Sequence, residues 1–300
     1  MKSFLVKNLC KIKESIMNIK AIILDMDGTM LNEESKVSEE LHRYLRRLRQ
    51  EGLKIFIATG RTLLEIENVV PEEFEVDGFV TSNGMAAFVE KEQLFQHSLE
   101  PSLVEGLMEE VQKRNLYYEI HPAVGNRYVL KEDQGMILHM IKGERPSSVE
   151  ENEWLSRKSA IEEHIDWKRE LHPNNISKIY FFHTDKGKIK SWISFLEKLK
   201  LQHGFSSSSS TENNVEIMAE NINKATGVEY LLERYNLSFE EVLAVGDGEN
   251  DLPLLKRVGY AVAMKNAPNS VKEYVDEQTD FSYKENGLYY YLSNKFKLDK

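Results

Sequence analysis

A single cysteine, Cys10, stands among 300 residues. It has no partner for an intrachain disulfide, and one thiolate is too few for a cysteine-based metal site, a usage that fits a reducing cytoplasm. No run of eighteen apolar residues occurs, so no segment is suited to spanning a bilayer. Lys/Arg-rich blocks are missing too. The chain sets 39 basic against 49 acidic side chains for a net charge of −10, which disfavours a nucleic acid as partner because nothing offsets repulsion from its phosphates. A small phosphorylated molecule is not disfavoured, since it needs only a locally positive site. No G-x-G-x-x-G follows the first apolar run, which speaks against a dinucleotide-binding dehydrogenase. Low complexity is confined to the serines at 206–210, and no internal repeat is present.

The hydrophobic fraction of 41% and the charged fraction of 29% are those of a globular chain with material for about two domains. Residues 1–16 are basic and mildly amphipathic, without the apolar core and small-residue cleavage site of a secretory signal. They read as an N-terminal extension ahead of Met17, after which a strand begins almost at once.

From there strand and helix signals alternate. An apolar run at 20–24 stops at Asp25-Met26-Asp27-Gly28. Ser38 then makes an N-cap, followed by Glu39 and Glu40, by Leu41, Leu45 and Leu48 at helical spacing, and by Gly52 as a stop. Runs at 53–58 and 78–81 predict two more buried strands, ending at Thr59-Gly60-Arg61 and Ser82-Asn83-Gly84. Strand, polar turn, helix, strand is the rhythm of right-handed βαβ units and a parallel sheet. The middle of the chain mixes helices at 102–114 and 186–199 with antiparallel-type strands near 117–121, 127–130, 176–183 and 215–218. The α/β rhythm returns with a helix at 224–235, a strand at 242–245 and the turn Gly246–Asp251. The expected architecture is therefore one α/β domain, 17–84 with 219–300, interrupted by an α+β insertion at 85–218.

In an open parallel sheet, ligands bind beyond the carboxyl ends of the strands. Three apolar strands here run directly into polar clusters, at 25–29, 59–61 and 246–251, and Asn223-Lys224 opens the helix after the insertion. Stacked at one edge they would gather several carboxylates, hydroxyls, one ammonium and glycine-freed amides. That is equipment for holding a phosphoryl group and a hard cation such as Mg²⁺. In extended chain, positions i and i+2 point the same way, so Asp25 and Asp27 can face one site. Two adjacent carboxylates repel unless a cation or a shared proton separates them.

These motifs resemble those of the haloacid dehalogenase superfamily of phosphohydrolases. Asp25-Met26-Asp27-Gly28-Thr29 is similar to its first motif, Ala58-Thr59-Gly60-Arg61 to its second, Lys224 to its third and Gly246-Asp247-Gly248-Glu249-Asn250-Asp251 to its fourth. The Ser82-Asn83-Gly84 turn and the wording of the fourth motif are most similar to the Cof-type branch (subclass IIB), with its large cap inserted in a Rossmann-like core. The resemblance implies a Mg²⁺-dependent phosphatase of sugar, nucleotide or cofactor phosphates that works through an aspartyl-phosphate. Asp25 would be the nucleophile, Asp27 the general acid and base, and Lys224 the neutralising cation. Gly28, Thr59, Gly60, Arg61, Lys224 and Asn250 would bind the phosphate. Asp25, Asp247 and the main-chain carbonyl of Asp27 would bind Mg²⁺, with Asp251 orienting Lys224 or a metal-bound water. The inserted cap would exclude water and select the substrate. Ala225, where the family commonly has Gly, and Met30, where it often has Leu, are small departures.

Arg61 has two readings, a substrate grip or a partner for a nearby acid, and Asn83 reads as a turn residue. His97, His121, His139, His164, His172, His183 and His203 all fall in the insertion and show no i, i+4 metal spacing. Rival functions are a phosphomutase with the same nucleophile and a binding protein that has lost turnover. The expected oligomeric state is a monomer or weak homo-oligomer, with no membrane partner.

Overall fold

A computed structural model describes residues 18–90 and 92–298; the extension expected at 1–16 lies outside the described residues. In chain order the strands are β1 (Ala21–Leu24), β2 (Lys54–Ala58), β3 (Gly78–Thr81), β4 (Ala86–Val89), β5 (Glu92–Gln96), β6 (Tyr117–Pro122), β7 (Tyr128–Leu130), β8 (Asp166–Lys168), β9 (Ile176–Phe182), β10 (Phe205–Ser208), β11 (Asn214–Ala219), β12 (Val242–Gly246), β13 (Tyr260–Ala263) and β14 (Glu277–Gln278). No helix of the described residues is long and apolar enough to cross a membrane.

The chain divides into two compact units. The first runs to Phe95 and resumes at Asn223, and the second is Gln96–Ile222. The boundaries expected at 85 and 218 thus move to 96 and 222. The reason is visible in the first sheet, whose order is β14-β13-β12-β1-β2-β3-β4-β5. β4 turns back antiparallel to β3, and β5 follows it at the edge. Short strands of that kind have the same look in sequence as the insertion's own.

The rest of this sheet pairs in parallel, with β1 at its centre between β2 and β12. Alternation along the strands sends side chains to two apolar layers. Ile22, Leu24, Ile55, Ile57, Leu243 and Val245 pack with Leu41, Leu45 and Leu48 of helix Glu39–Gln50 and with Leu288 and Leu292 of helix Gly287–Phe296. Ala21, Ile23, Phe56, Ala58 and Ala244 pack with Val228 and Leu231 of helix Lys224–Arg234. A central strand buried on both faces reads as a continuous apolar run, which is why β1 and β12 were legible. Ser38 caps helix Glu39–Gln50 through Leu41 N, and Gly52, at φ +95°, ends it, as the sequence predicts.

The second unit holds a six-stranded sheet, β10-β11-β9-β6-β7-β8, antiparallel except where β8 joins β7. Phe181 of β9 meets Trp192 of helix Lys186–Leu199 edge-on, ring centroids 5.0 Å apart. On the strand face that carries Glu119 lies a buried ionic cluster. Glu119 accepts from Arg157 (2.6 Å), Arg127 (2.7 Å) and the Tyr117 hydroxyl (2.5 Å). Burial would push the Glu119 carboxyl up, but the two guanidinium charges hold it well below the usual range.

Candidate active site

β1 and β12 deliver two acids to the same edge because their register is parallel, Leu24 lying against Val245. Asp25 follows directly, its N–H donating to the Val245 carbonyl at 3.0 Å. The chain then folds over the Met26 carbonyl, which accepts from Thr29, Met30 and Leu31 N–H groups. Gly28 sits in this turn at φ +75°, and a Cβ there would lie 2.1 Å from Asp247 Oδ2. Both facts demand glycine.

Lys224 opens helix Lys224–Arg234, whose N-cap, Asn223, accepts from Ala225 and Thr226 N–H groups. Its side chain is fully buried and donates to Asp25 Oδ1 and to Asp251 Oδ1, each at 2.6 Å. The other Asp251 oxygen accepts from the Asp247 and Gly248 N–H groups at 3.1 and 3.0 Å, locking the turn after β12. Asp247 accepts from Thr29 Oγ1 on Oδ1 (3.3 Å) and from Asn266 Nδ2 on Oδ2 (2.9 Å).

The carboxylates of Asp25, Asp247 and Asp251 each place an oxygen within 4.8 Å of the others. Burial pushes the Asp25 carboxyl up; Lys224 opposes this and Asp251 adds to it, leaving it at about 7. Asp247 is pushed well above the usual range by burial and then by the charges of Asp25 and Asp251. Lys224 would be lowered by burial, yet its two carboxylate partners hold it above its ordinary value. Three acids against one ammonium is an unbalanced, oxygen-only donor set, and it fits a hard divalent cation.

Asp27 is arranged differently. Its side chain is half exposed and is gripped by Arg61, with Nε to Oδ2 at 2.8 Å and Nη2 to Oδ1 at 2.7 Å. Crowding by protein would raise the Asp27 carboxyl, but the Arg61 charge and hydrogen bonds bring it below its usual value. The ion pair, one of the two sequence readings of Arg61, is present in the structure. The Asp27 carboxylate is not part of the acidic trio.

Thr59 is fully buried at the end of β2, its hydroxyl accepting from Arg61 N–H at 3.2 Å. Gly60 lies between them in the turn to helix Leu63–Glu67, which Thr62 and Glu65 cap reciprocally. Ser82 and Asn83 both adopt left-handed backbone, held by N–H groups to the Arg61 and Thr59 carbonyls. Asn250, expected at the phosphate, donates to Asn83 Oδ1 at 3.2 Å. All the sequence-predicted residues therefore reach one edge of the first sheet. Asn266 was missed; its only sequence signal is its place just past the apolar strand β13.

The sequence family described as haloacid dehalogenase-like hydrolase matches residues 22–292. The 5-amino-6-(5-phospho-D-ribitylamino)uracil phosphatase YcsE of Bacillus subtilis is 26% identical over 264 residues, covering 88% of this chain and 90% of its own. Among solved structures, a haloacid dehalogenase-like hydrolase from B. subtilis superposes with a TM-score of 0.76 at 22% identity, over 92% of this chain and 99% of the other. A subclass IIB sugar phosphatase superposes at 0.70 and 19% identity, over 93% and 100%.

Proposed function

The chain belongs to the haloacid dehalogenase-like hydrolases and is a hydrolase of small phosphate monoesters; from that premise we propose that it works through an aspartyl-phosphate on Asp25. The observation that carries this is the state of the Asp25 carboxylate. Lys224 holds Oδ1, and among the described residues no hydrogen bond engages Oδ2, which is left as the attacking atom.

Oδ2 forms a bond to phosphorus as the ester oxygen leaves, and Asp27 gives the leaving alkoxide its proton. Water then attacks the same phosphorus, Asp27 takes back a proton, and the Asp25–phosphate bond breaks to release inorganic phosphate. Lys224 keeps Asp25 anionic and offsets charge on the phosphoryl oxygens. Arg61, Thr59 and the amides at Gly28 and Gly60 hold those oxygens. Both oxygens of Asp27 are occupied by Arg61, so its work as an acid begins when the guanidinium turns to the incoming phosphate and the freed carboxylate takes from solvent the proton it then passes on. Asp25, Asp247 and the Asp27 carbonyl would hold Mg²⁺, with Asp251 positioning Lys224; the cation supplies charge neutralisation at the phosphoryl group. We assign preference among esters to the inserted unit, Gln96–Ile222.

The relative named above supplies the first ester to try, 5-amino-6-(5-phospho-D-ribitylamino)uracil, in a panel with sugar and nucleotide monophosphates. Phosphate release is measured with Mg²⁺ and with EDTA, for wild type and Asp25→Asn. The expected outcome is turnover that needs both the cation and Asp25, with kcat lowered by several orders of magnitude in a folded variant. Turnover retained by folded Asp25→Asn would refute the mechanism.

A further inference from the structure

Asn266 belongs to none of the four motifs, yet its amide joins two of them. It stands just past β13 and is exposed. Its Nδ2 donates to the Gly28 carbonyl at 2.9 Å and to Asp247 Oδ2 at 2.9 Å, while its Oδ1 accepts from Tyr283 N–H at 3.3 Å. The three partners fix the orientation of the amide. A backbone N–H faces one end, a carbonyl and a carboxylate face the other, and a flipped amide would turn an acceptor toward both acceptors.

We propose that Asn266 is a positioning residue that sets Asp247 to receive the divalent cation, an inference that rests on the phosphatase reading above. The geometry has a direct consequence for the carboxylate. With Oδ2 committed to the amide, Asp247 presents Oδ1, whose contact with Thr29 at 3.3 Å is the longer of the two. One oxygen per carboxylate suits the strict octahedral demand of Mg²⁺. The same amide pins the Gly28 carbonyl, in the peptide that links Gly28 to Thr29, one residue past Asp27. The turns after β1 and β12 are thereby tied together by a side chain from the turn after β13. Partners of this kind around metal-binding carboxylates typically carry 10–100-fold in affinity.

The test is Mn²⁺ binding to the full chain, read as loss of the free-ion electron paramagnetic resonance signal, beside steady-state kinetics. Asn266→Ala is expected to raise the Mn²⁺ Kd by about 10–100-fold. The Mg²⁺ concentration for half activation should rise by a similar factor, with kcat at saturating Mg²⁺ and ester KM within about threefold of wild type. Asn266→Ser, which keeps a small polar group at this exposed site, should fall between. Either variant with a Mn²⁺ Kd within twofold of wild type overturns the proposal. So does a lowered Tm in EDTA with unchanged Mn²⁺ affinity, which would make Asn266 a tie within the fold alone. Failure of the phosphatase reading looks different: wild type itself would bind no Mn²⁺ or release no phosphate.

Discussion

Replacing Asp247 by Asn should stabilise the cation-free protein at neutral pH while abolishing its activity. A carboxyl kept from ionising costs about 1.4 kcal/mol for each pH unit above its ordinary value, 3.8 for Asp. Burial and then the charges of Asp25 and Asp251 push Asp247 in that direction, so the folded, cation-free protein carries the cost of its charged form. Asn removes that cost, while facing the Asn266 amide with a donor in one orientation, a loss of about 1 kcal/mol. The expected net effect is a higher Tm, each kcal/mol moving it by about 2–4 °C for a unit of this size. The sign with pH follows from linkage. The unfolded chain ionises Asp247 above about pH 4 and the folded chain resists, so wild-type stability from this group falls as pH rises from about 4 toward 7. The variant's advantage therefore opens across that window and closes below it. A divalent cation reverses the order, because Mg²⁺ at a hundred times its Kd stabilises the wild type by about 2.7 kcal/mol and should leave the variant unmoved. Calorimetric melts near pH 4 and pH 8, in EDTA and in Mg²⁺, read all four arms. A variant that melts below wild type in EDTA at pH 8, or that gains the same Tm from Mg²⁺, would refute the assignment of Asp247 as an uncompensated cation ligand.

Two further outcomes follow from ion pairs. Arg61→Lys keeps the charge but loses the fork that grips both Asp27 oxygens; because the same guanidinium is proposed to turn to the phosphoryl oxygens, it should lower kcat/KM on alkyl phosphates and on p-nitrophenyl phosphate alike, by about tenfold or more. A loss confined to the alkyl esters, whose leaving groups need an acid, would place Arg61 on Asp27 alone. Glu119→Gln strands two guanidinium groups in the inserted unit and should cost that unit about 3–5 kcal/mol at neutral pH. Because Glu119 is held below its ordinary value, its contribution is complete above about pH 4.5 and lost as pH falls through the folded value, so variant and wild type should converge in acid. A difference in melting that does not shrink there would mean the cost comes from packing.

The parts of the site that were legible in sequence share one physical signature, an apolar run stopped by polar residues. β1, β2 and β12 are buried on both faces, so each reads as a mainly apolar block and marks its own carboxyl end. Asp25, Thr59 and Asp247 follow at once. What stayed hidden depends on pairing. Nothing local says that Arg61 meets Asp27, thirty-four positions away, or that Asn250 spends its amide on Asn83. β4 and β5 look in sequence like strands of the insertion, and only their hydrogen-bonded place beside β3 assigns them to the first sheet. Asn266 has the appearance of any turn residue after a short strand.

Asp25 and Asp27 are two residues apart in one turn, yet their carboxyls are driven in opposite directions, and the difference lies in how each is neutralised. Arg61 serves Asp27 with two hydrogen bonds of its own. Lys224 must divide itself between Asp25 and Asp251, with Asp247 close by and, among the described residues, no cationic side chain paired with it. The deficit is therefore concentrated on the acids proposed to bind the cation and kept off the acid proposed to move protons. A cation entering the trio would offset the burial and the like charge of Asp251 that raise Asp25, adding to what Lys224 does to keep the nucleophile ionised. Asp27 needs the opposite event, loss of its cation, and the anion able to draw Arg61 away is the phosphate ester. One turn thus couples each acid to a different arrival, the cation for the nucleophile and the substrate for the acid.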